Sequence, residues 1–304
     1  MSVAGGIAKG IPAATYHADP WPDADPAGRP SLSSSIAKLL CTASPAHAWA
    51  AHPRLNPDHT PATSVAFDLG TAAHSVFLEG VECVETIEAS DYRTKVAQEA
   101  RDEIRARGRV PLLADQWQLV QETVATLRGR LEARSDDPPL FAAGDPEVTV
   151  LWKELGDEVL CRSRLDWLRT DATVIDDLKI TSRSAHPASW ARQVFSLGYD
   201  VQSEFYRRGI ETLTGTRPTF RLVVVELEQP HAVSVLQLAP DAEVIARKKV
   251  DYALELWRKC VAGDSWPAYR DAIAFATLPA YEESRWLELE LEDPYDVFGG
   301  GISG

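Results

Sequence analysis

The first third of the chain carries apolar residues at helical spacing. In LSSSIAKLL (32–40), serines stand before an apolar run, which is typical of a capped helix start. In FDLGTAAHSVFLEG (67–80), apolar residues recur three and four positions apart, and a glycine marks the end. Residues 91–135 are charged and periodic and predict one or two amphipathic helices. Residues 1–31 and the proline-rich stretch 44–64 lack this pattern and predict irregular chain, the latter with a short helix.

From residue 147 the pattern changes to runs of β-branched and aromatic residues. Three runs separated by short turn sequences predict an antiparallel three-stranded meander over 147–155, 158–169 and 173–181. We expect a helix, two strands and a long helix to follow, over about 187–213, 220–229, 232–239 and 240–261. This order predicts a one-domain α/β fold, in which a mixed sheet has helices on both sides. After about residue 276 the sequence is acidic and predicts a flexible tail.

The composition narrows the class of protein without naming a function. Of the 304 residues, 45% are hydrophobic and 25% are charged, as is usual for a soluble globular enzyme. Because no run of about 18 apolar residues is present, we expect no membrane span, and the N-terminus lacks the pattern of a secretory signal. The cysteines are too scattered for a zinc ribbon or a disulfide framework, which predicts a cytoplasmic protein with reduced thiols at Cys41, Cys83, Cys161 and Cys260.

The strand VIDDLKIT (174–181) carries two acids and a lysine among apolar residues, where unpaired charge is rare. Side chains alternate along a strand, so Asp177 and Lys179 share one face and Asp176 lies on the other. If the preceding strand pairs with its faces matched, Asp166 joins Asp177 and Lys179. Two carboxylates there would hold a cation such as Mg²⁺ to polarise a phosphate, and the lysine would position the attacking water. Alone, an acid-x-lysine pattern is more often a surface ion pair.

Further polar residues lie in order around this strand. His74, in the helix predicted over 67–80, has an imidazole that binds metals when neutral. Gln202 and Tyr206 are four positions apart, so they share one helix face and can hydrogen-bond to phosphate or water. Glu147 opens the first strand, either as a further ligand or as a solvated strand end. Taken singly, each of these residues fits a structural role better than a functional one.

Six segments, taken in order, form a pattern that is more specific than any one of them. They are YHADP (16–20), SLSSSIAKLLCTASPAH (31–47), LGTAAHSVFLEG (69–80), CRSRLDWLR (161–169), VIDDLKITSRSAHPASWARQVFSLGYDVQSEFYRRGIE (174–211) and GDSWPAY (263–269). The combination resembles the PD-(D/E)xK nuclease superfamily. It is most similar to the RecE-like (exonuclease VIII) branch, with lambda-type exonucleases and the RecB nuclease domain as more distant relatives. One departure is that Leu165 replaces the proline that leads the family motif, at a position that does no chemistry.

The resemblance implies a fold and an activity. The fold is a restriction-endonuclease-like core over about 67–240, with helices flanking a central mixed sheet, in a single nuclease domain over 1–275. The activity is a Mg²⁺-dependent exonuclease, with Mn²⁺ as a substitute, that degrades one strand of linear double-stranded DNA from 5′ to 3′. The resulting 3′ overhang would serve recombination through a partner protein that anneals single strands.

The same resemblance bears on assembly and cofactors. Relatives form closed rings of three or four subunits, so we expect a homo-oligomeric ring, and a phage or prophage origin is a further implication. Some relatives hold an iron–sulfur cluster through four cysteines, of which three are tightly grouped. The cysteines of this chain lack that grouping, so we predict no cluster.

Position by position, the resemblance also implies roles for single residues. It makes His74, Asp166 and Asp177 metal ligands, with the Leu178 carbonyl as a backbone ligand, and it makes Lys179 the catalytic lysine. The glutamine–tyrosine pair of the family falls on Gln202 and Tyr206. Its serine contact with the 5′-phosphate falls within Ser33–Ser35, and the resemblance leaves open which of Ser33, Ser34 and Ser35 makes it.

The charge of the chain fits this picture only if it is unevenly distributed. The net charge is −14, from 31 basic and 45 acidic residues, which argues against coating nucleic acid through bulk charge. A basic lining within an acidic exterior fits a groove or ring through which DNA threads. The arginines that would form this lining lie in or beside the motif strands and helix, and they are Arg162, Arg164, Arg183, Arg192, Arg207 and Arg208. Alternatively, these arginines are ordinary charges in contact with solvent.

Three other functions remain open from the sequence. A DNA-end-binding or scaffold protein would keep the fold without cutting, although the complete set of Asp166, Asp177 and Lys179 argues against it. An endonuclease on the same fold would cut closed circular DNA, which an exonuclease spares. A carboxylate-pair hydrolase such as a glycosidase would need no metal and would leave Lys179 without a clear role.

Overall fold

The structure, a computed structural model, describes residues 6–21, 27–60, 65–80 and 83–291. The chain divides into two compact units, Met1–Ala268 and Tyr269–Gly304. The glycine-rich end of the predicted tail lies outside the described residues, as do parts of the segments predicted to be irregular.

Helices and strands are interspersed along the first unit. The strands in the described residues are β1 (Gly6–Ala8), β2 (Leu32–Ser33), β3 (Val84–Ile87), β4 (Val110–Leu113), β5 (Gly144–Glu154), β6 (Val159–Arg169), β7 (Val174–Thr181), β8 (Thr219–Glu226) and β9 (Val233–Leu236). The helices are α1 (Ala13–Ala18), α2 (Ser34–Thr42), α3 (Pro45–Ala50), α4 (Val65–Leu78), α5 (Lys95–Ala106), α6 (Ala114–Glu132), α7 (Pro187–Ser196), α8 (Tyr199–Thr214) and α9 (Pro240–Gly263), and α10 (Ala280–Leu291) lies in the second unit.

The larger sheet has seven strands among the described residues, in the order β1-β5-β6-β7-β8-β9, and β2 pairs with β6. Strands β5, β6 and β7 pair antiparallel, which confirms the predicted meander. Strands β7 and β8 pair in parallel, whereas β8 and β9 pair antiparallel, so the sheet is mixed as predicted. Strands β3 and β4 form a separate parallel pair.

The helix predicted over 187–213 is in fact two helices, because the chain turns at Gly198. This glycine has a φ of 71°, in the left-handed region that residues with a Cβ avoid, and it is the N-cap of α8. Together α7 and α8 form the long crossover that two parallel neighbouring strands require. The turn also places Tyr199 at the start of α8, beside the end of β7 that carries the acids and the lysine.

Hydrophobic side chains fill both faces of the larger sheet. Along β8, Leu222 packs in the cluster that contains Phe205 from α8 and Trp257 from α9. The next residue, Val223, packs with Leu127 from α6, because successive strand residues point to opposite faces. Helices therefore cover both faces of the sheet, which confirms the predicted architecture.

A buried polar network joins the N-terminal segment to the sheet. Arg162 on β6 lies 2.8 Å from Asp19 Oδ1, and it also donates to the backbone and hydroxyl oxygens of Ser31. His52 completes the network through Ser31 O, 3.0 Å from its Nε2, and through the Arg54 N–H, 3.2 Å from its Nδ1. Because Arg162 is 3% exposed and is paired with a buried carboxylate, the predicted DNA contact by this arginine is wrong.

In the second unit, α10 occupies part of the segment for which the sequence predicts a flexible tail. None of its described side chains is buried. Its exposed face carries apolar side chains, including Trp286 and Leu291, next to glutamates. Within the described parts of both units, no helix has the length and apolar character needed to cross a membrane.

Candidate active site

A cleft of about 630 Å³ opens where β5, β6 and β7 meet α1, α2, α4 and α8. Most of the residues singled out in the sequence line this cleft. They are Ser34, Ser35, His74, Glu147, Arg164, Asp166, Leu178, Lys179, Gln202 and Tyr206. The cleft therefore gathers residues from segments that are up to about 190 positions apart in the chain.

Pairing of β6 with β7 brings the two acids and the lysine together. Trp167 pairs with Asp176 across these antiparallel strands, which places Asp166 beside Asp177. The Leu178 N–H donates to Asp166 Oδ2 at 2.8 Å. The Lys179 ammonium is ion-paired with Asp177 and lies 3.8 Å from Asp166 Oδ2. The predicted convergence of Asp166, Asp177 and Lys179 is confirmed.

Helix α4 adds His74 to this group. Its Nε2 lies 2.9 Å from Asp166 Oδ2, and its Nδ1 lies 3.2 Å from Glu147 Oε1. Glu147 has a φ of 52°, which is uncommon for a residue with a Cβ and is often found at functional sites. The sequence left the role of Glu147 open, and the structure places it in the cluster.

Three donor atoms form a group with the dimensions of a metal site. One atom each from His74, Glu147 and Asp166 lie within 4.8 Å of one another. Carboxylate oxygens and an imidazole nitrogen suit divalent cations such as Mg²⁺ or Mn²⁺. Asp177, predicted as a ligand, is not among these three, and the predicted backbone ligand, the Leu178 carbonyl, accepts a hydrogen bond from Lys179 at 3.3 Å.

The charges around His74 favour a cation between the acids. Although burial opposes it, the Asp166 and Glu147 carboxylates raise the pKa of His74, so the imidazole tends to hold a proton between them. Burial raises the pKa of Glu147. A divalent cation would take over the role of this proton, because a coordinating imidazole nitrogen must be unprotonated. The residues present therefore fit a metal ion.

The two aspartates differ in pKa although Lys179 lowers the pKa of both. Burial, together with repulsion from Asp166, raises the pKa of Asp177 to about 7. Burial acts in the same direction on Asp166, but Lys179 and His74 outweigh it and lower the pKa of Asp166 to about 2. Although burial opposes it, Asp177 and Asp166 raise the pKa of Lys179. The lysine is thus held protonated beside a firmly ionised Asp166.

Helix α8 supplies the predicted glutamine–tyrosine pair. Gln202 Nε2 lies 3.0 Å from Asp177 Oδ1 and 3.0 Å from the Tyr206 hydroxyl. Burial raises the pKa of Tyr206, so its hydroxyl keeps its proton. The two side chains share a helix face as predicted, and Gln202 fixes the orientation of Asp177.

The serines at the start of α2 have different surroundings. Ser33 is the buried N-cap of the helix and accepts from the Ile36 N–H at 3.4 Å, so it is less accessible to a phosphate than Ser34 or Ser35. Ser34 and Ser35 line the cleft, where their predicted contact with a 5′-phosphate stays a prediction. The Ser35 hydroxyl lies 3.0 Å from that of Ser33.

Most of the arginines predicted as a basic lining lie outside this cleft, and several of them have acidic partners. Arg207 pairs with Glu243, and Arg208 pairs with Glu154. Arg164 lines the cleft, but Glu147 neutralises it. The remaining pair, Arg183 and Arg192, are exposed and do not line the cleft.

Two cleft residues were missed by reasoning from sequence. The Tyr199 ring lies 5.4 Å from the Lys179 ammonium and stacks on Trp190, with ring centroids 6.0 Å apart. Lys38, on α2, lines the cleft with Ser34 and packs on Gly198, the residue before Tyr199. Two features of the sequence could have pointed to these residues. Tyr199 follows a glycine, and Lys38 lies one helical turn after Ser34, but neither feature is specific to a functional site.

Comparison with protein families gives one match. The family described as a PDDEXK-like domain of unknown function, DUF3799, matches residues 33–278. This range contains the cluster of His74, Glu147 and Asp166 and the lysine Lys179. No curated protein matches the chain significantly.

Solved structures resemble the chain in fold. A protein from Eubacterium rectale that carries the provisional name exonuclease shares 15% sequence identity, with a TM-score of 0.58, over 91% of this chain and 99% of its own. A phage-related exonuclease from Haemophilus somnus 129PT shares 13% identity over 64% of this chain and 95% of its own, but its TM-score of 0.29 supports nothing further. At 15% identity, the similarity to the Eubacterium rectale protein supports the fold alone.

Proposed function

This chain belongs to the PDDEXK-like domain family DUF3799, and from this membership we propose that it is a metal-dependent nuclease that hydrolyses phosphodiester bonds in DNA. One observation carries the proposal. His74, Glu147 and Asp166 form a group able to hold a cation, and the Lys179 ammonium lies 3.8 Å from the Asp166 carboxylate in an open cleft. A purely structural ion pair would need neither the cleft nor the imidazole.

The cation in this proposal is Mg²⁺, with Mn²⁺ as a substitute. His74, Glu147 and Asp166 hold it, and Asp177 and the Leu178 carbonyl complete the ligand set. When bound, the cation supplies the positive charge that polarises the phosphate. The proposal assigns this chemistry to a core over about 67–240 within a nuclease domain over 1–275.

The protein side chains supply orientation and charge. The raised pKa of Lys179 favours its protonated form, which stabilises negative charge that develops on the phosphate and orients the attacking water. Asp177 holds the lysine, and Gln202 holds Asp177. Tyr206 fixes the amide of Gln202 from the other side.

We further propose the finer activity implied by the resemblance to RecE-like nucleases. The enzyme degrades linear double-stranded DNA from 5′ to 3′ as an exonuclease and leaves 3′ overhangs. A homo-oligomeric ring of three or four subunits and a partner that anneals single strands belong to the same proposal. Its support is the residue-by-residue match at the cleft and the name of the Eubacterium rectale neighbour.

The test is digestion of linear, nicked and closed circular duplex DNA, with Mg²⁺ or with EDTA, using ends with and without a 5′-phosphate. Loss of linear DNA alone, dependent on Mg²⁺ and faster with a 5′-phosphate, is the expected result. Cleavage of closed circles would instead assign an endonuclease. Retained binding of DNA ends without any cleavage would assign a scaffold protein.

A further inference from the structure

Lys38 stands out in the cleft because its charge has no acidic partner. It lies on α2 in the wall of the cleft and pairs with no carboxylate among the residues that the structure describes. The other lysine and arginine of the wall differ, since Lys179 is paired with Asp177 and Arg164 with Glu147. Since the arginines predicted to line the groove are also paired or lie elsewhere, Lys38 is the uncompensated basic side chain in the described lining.

The side chain of Lys38 lies directly across Gly198. A Cβ at position 198 would lie 2.3 Å from Lys38 Cδ and 2.5 Å from its Cγ, closer than atoms can approach. The φ of 71° at Gly198 independently favours glycine. The turn between α7 and α8 therefore leaves a gap that the lysine stem occupies.

The surroundings of the Lys38 ammonium favour an anion. Burial lowers the pKa of Lys38, and repulsion from the Lys179 ammonium adds to this. A phosphate bound near Lys38 would relieve that repulsion and compensate the partly buried charge. Ser34 and Ser35 offer hydroxyl groups on the same wall, one helical turn before Lys38.

We propose that Lys38 binds a backbone phosphate of DNA in this cleft and that Gly198 holds the lysine stem in position. This inference rests on the proposed nuclease function. Lys38 has a role in binding DNA, whereas the acids and Lys179 carry out the chemical step. Loss of Lys38 should then weaken DNA binding and raise KM, with a much smaller effect on kcat.

The first experiment measures binding of a short linear duplex at several salt concentrations, with Ca²⁺ in place of Mg²⁺ to slow cleavage. Each phosphate contact contributes about 0.9 to the slope of log affinity against log salt. We expect Lys38→Gln to weaken binding about tenfold and to lower that slope by about 0.9. Lys38→Arg should keep most of the affinity and most of the slope. The matched control is Lys153→Gln, which removes an exposed lysine of β5 that does not line the cleft.

The second experiment tests the role of Gly198 with a matched pair of glycines. Gly198 and Gly215 flank α8 with φ values of 71° and 74°, but a Cβ at Gly215 would meet nothing within 4 Å. Gly198→Ala and Gly215→Ala should therefore cost similar backbone strain. Only Gly198→Ala should weaken DNA binding. In a protein that already carries Lys38→Gln, adding Gly198→Ala should cause little further loss of DNA affinity.

The outcomes separate this inference from the proposed function. A wild-type protein that neither binds nor cleaves DNA would overturn both. A cleaving wild type, with Lys38→Gln indistinguishable from Lys153→Gln in affinity and salt slope, would overturn the assignment of Lys38 alone. Equal effects of the two glycine variants would overturn the role of Gly198.

Discussion

Asp176 and Asp177 are neighbours on β7 whose carboxylates have opposite surroundings. Asp176 is bound by the Arg221 guanidinium, at 2.5 and 2.8 Å, in a buried ion pair. Asp177 is fully buried and contacts Lys179 and Gln202, which line the cleft. Because alternate strand residues point to opposite faces, one acid stabilises the fold and the other belongs to the candidate active site. Substitutions at the two positions should therefore separate stability from activity.

Asp177→Asn should abolish DNA cleavage and leave the fold intact. Asparagine has the same shape, and it removes a negative charge that burial disfavours, as the raised pKa of Asp177 indicates. We expect the rate on linear duplex to fall by about 10² or more, since the carboxylate that holds the Lys179 ammonium in position is lost. Initial rates and urea unfolding of the same preparation check both parts. An active Asp177→Asn variant would contradict the proposed role of this acid.

Asp176→Ala should have the opposite effect. It leaves the Arg221 guanidinium buried without its partner, and breaking a buried pair in this way costs about 3–5 kcal/mol. Urea unfolding should show this loss, while the folded fraction cleaves DNA at close to the wild-type rate. The double variant Asp176→Ala/Arg221→Met should recover part of the stability. A loss below about 1 kcal/mol in the single variant would show that the pair contributes little.

Glu147→Gln should weaken metal binding, because it removes one of three clustered donors. We expect the dissociation constant for Mn²⁺, measured by calorimetric titration, to rise by about tenfold or more. Glu79→Gln is the matched control, since Glu79 lines the same cleft outside the cluster. Equal Mn²⁺ affinity of the two variants would remove Glu147 from the ligand set.

Lys179→Met should stop cleavage without a comparable loss of Mn²⁺ affinity. The ammonium group carries a positive charge and binds no cation, so its removal spares the donors His74, Glu147 and Asp166. Activity should fall by about 10² or more, because the charge beside the phosphate is lost. A variant that loses Mn²⁺ binding as strongly as Glu147→Gln would indicate a structural role for the lysine.

The strands and the acid–lysine group could be predicted because their signals are local. Alternation along β6 and β7 fixes which side chains share a face, and two short turns fix the meander. Glu147 could not be assigned, because its place in the cluster depends on a left-handed backbone conformation and on a histidine about 70 positions away. The sequence shows the residue type at such positions but not the distance between them.

For the arginines, position in the sequence did not indicate which residues they contact. Their position beside the motif predicted a basic lining, yet Arg162 and Arg207 are paired with Asp19 and Glu243, which lie far away in the chain. The break between α7 and α8 was missed for a different reason. Helical periodicity continues through Gly198, and only the structure shows that this glycine takes the left-handed conformation at which the chain turns.

His52 makes the stability of the fold depend on pH at a site remote from the cluster of acids. Its side chain is fully buried, and burial together with the Arg162 cation lowers the pKa of His52 to about 4. The neutral ring donates from Nε2 to Ser31 O and accepts the Arg54 N–H at Nδ1, so protonation would break the second bond. The unfolded chain, in which the pKa of histidine is about 6.5, binds this proton more readily.

Stability should therefore be unaffected by this group above about pH 6.5 and fall as the pH decreases from about 6.5 to 4, because there the unfolded state binds more protons. Between pH 7 and pH 5 the contribution of His52 is about 2 kcal/mol. Urea unfolding at the two pH values gives the free energy of unfolding that His52→Gln removes. We expect this loss to be about 2 kcal/mol smaller at pH 5 than at pH 7. His59→Gln, outside the buried network, controls for loss of a histidine as such. An equal cost of His52→Gln at both values would mean that the buried ring does not resist protonation.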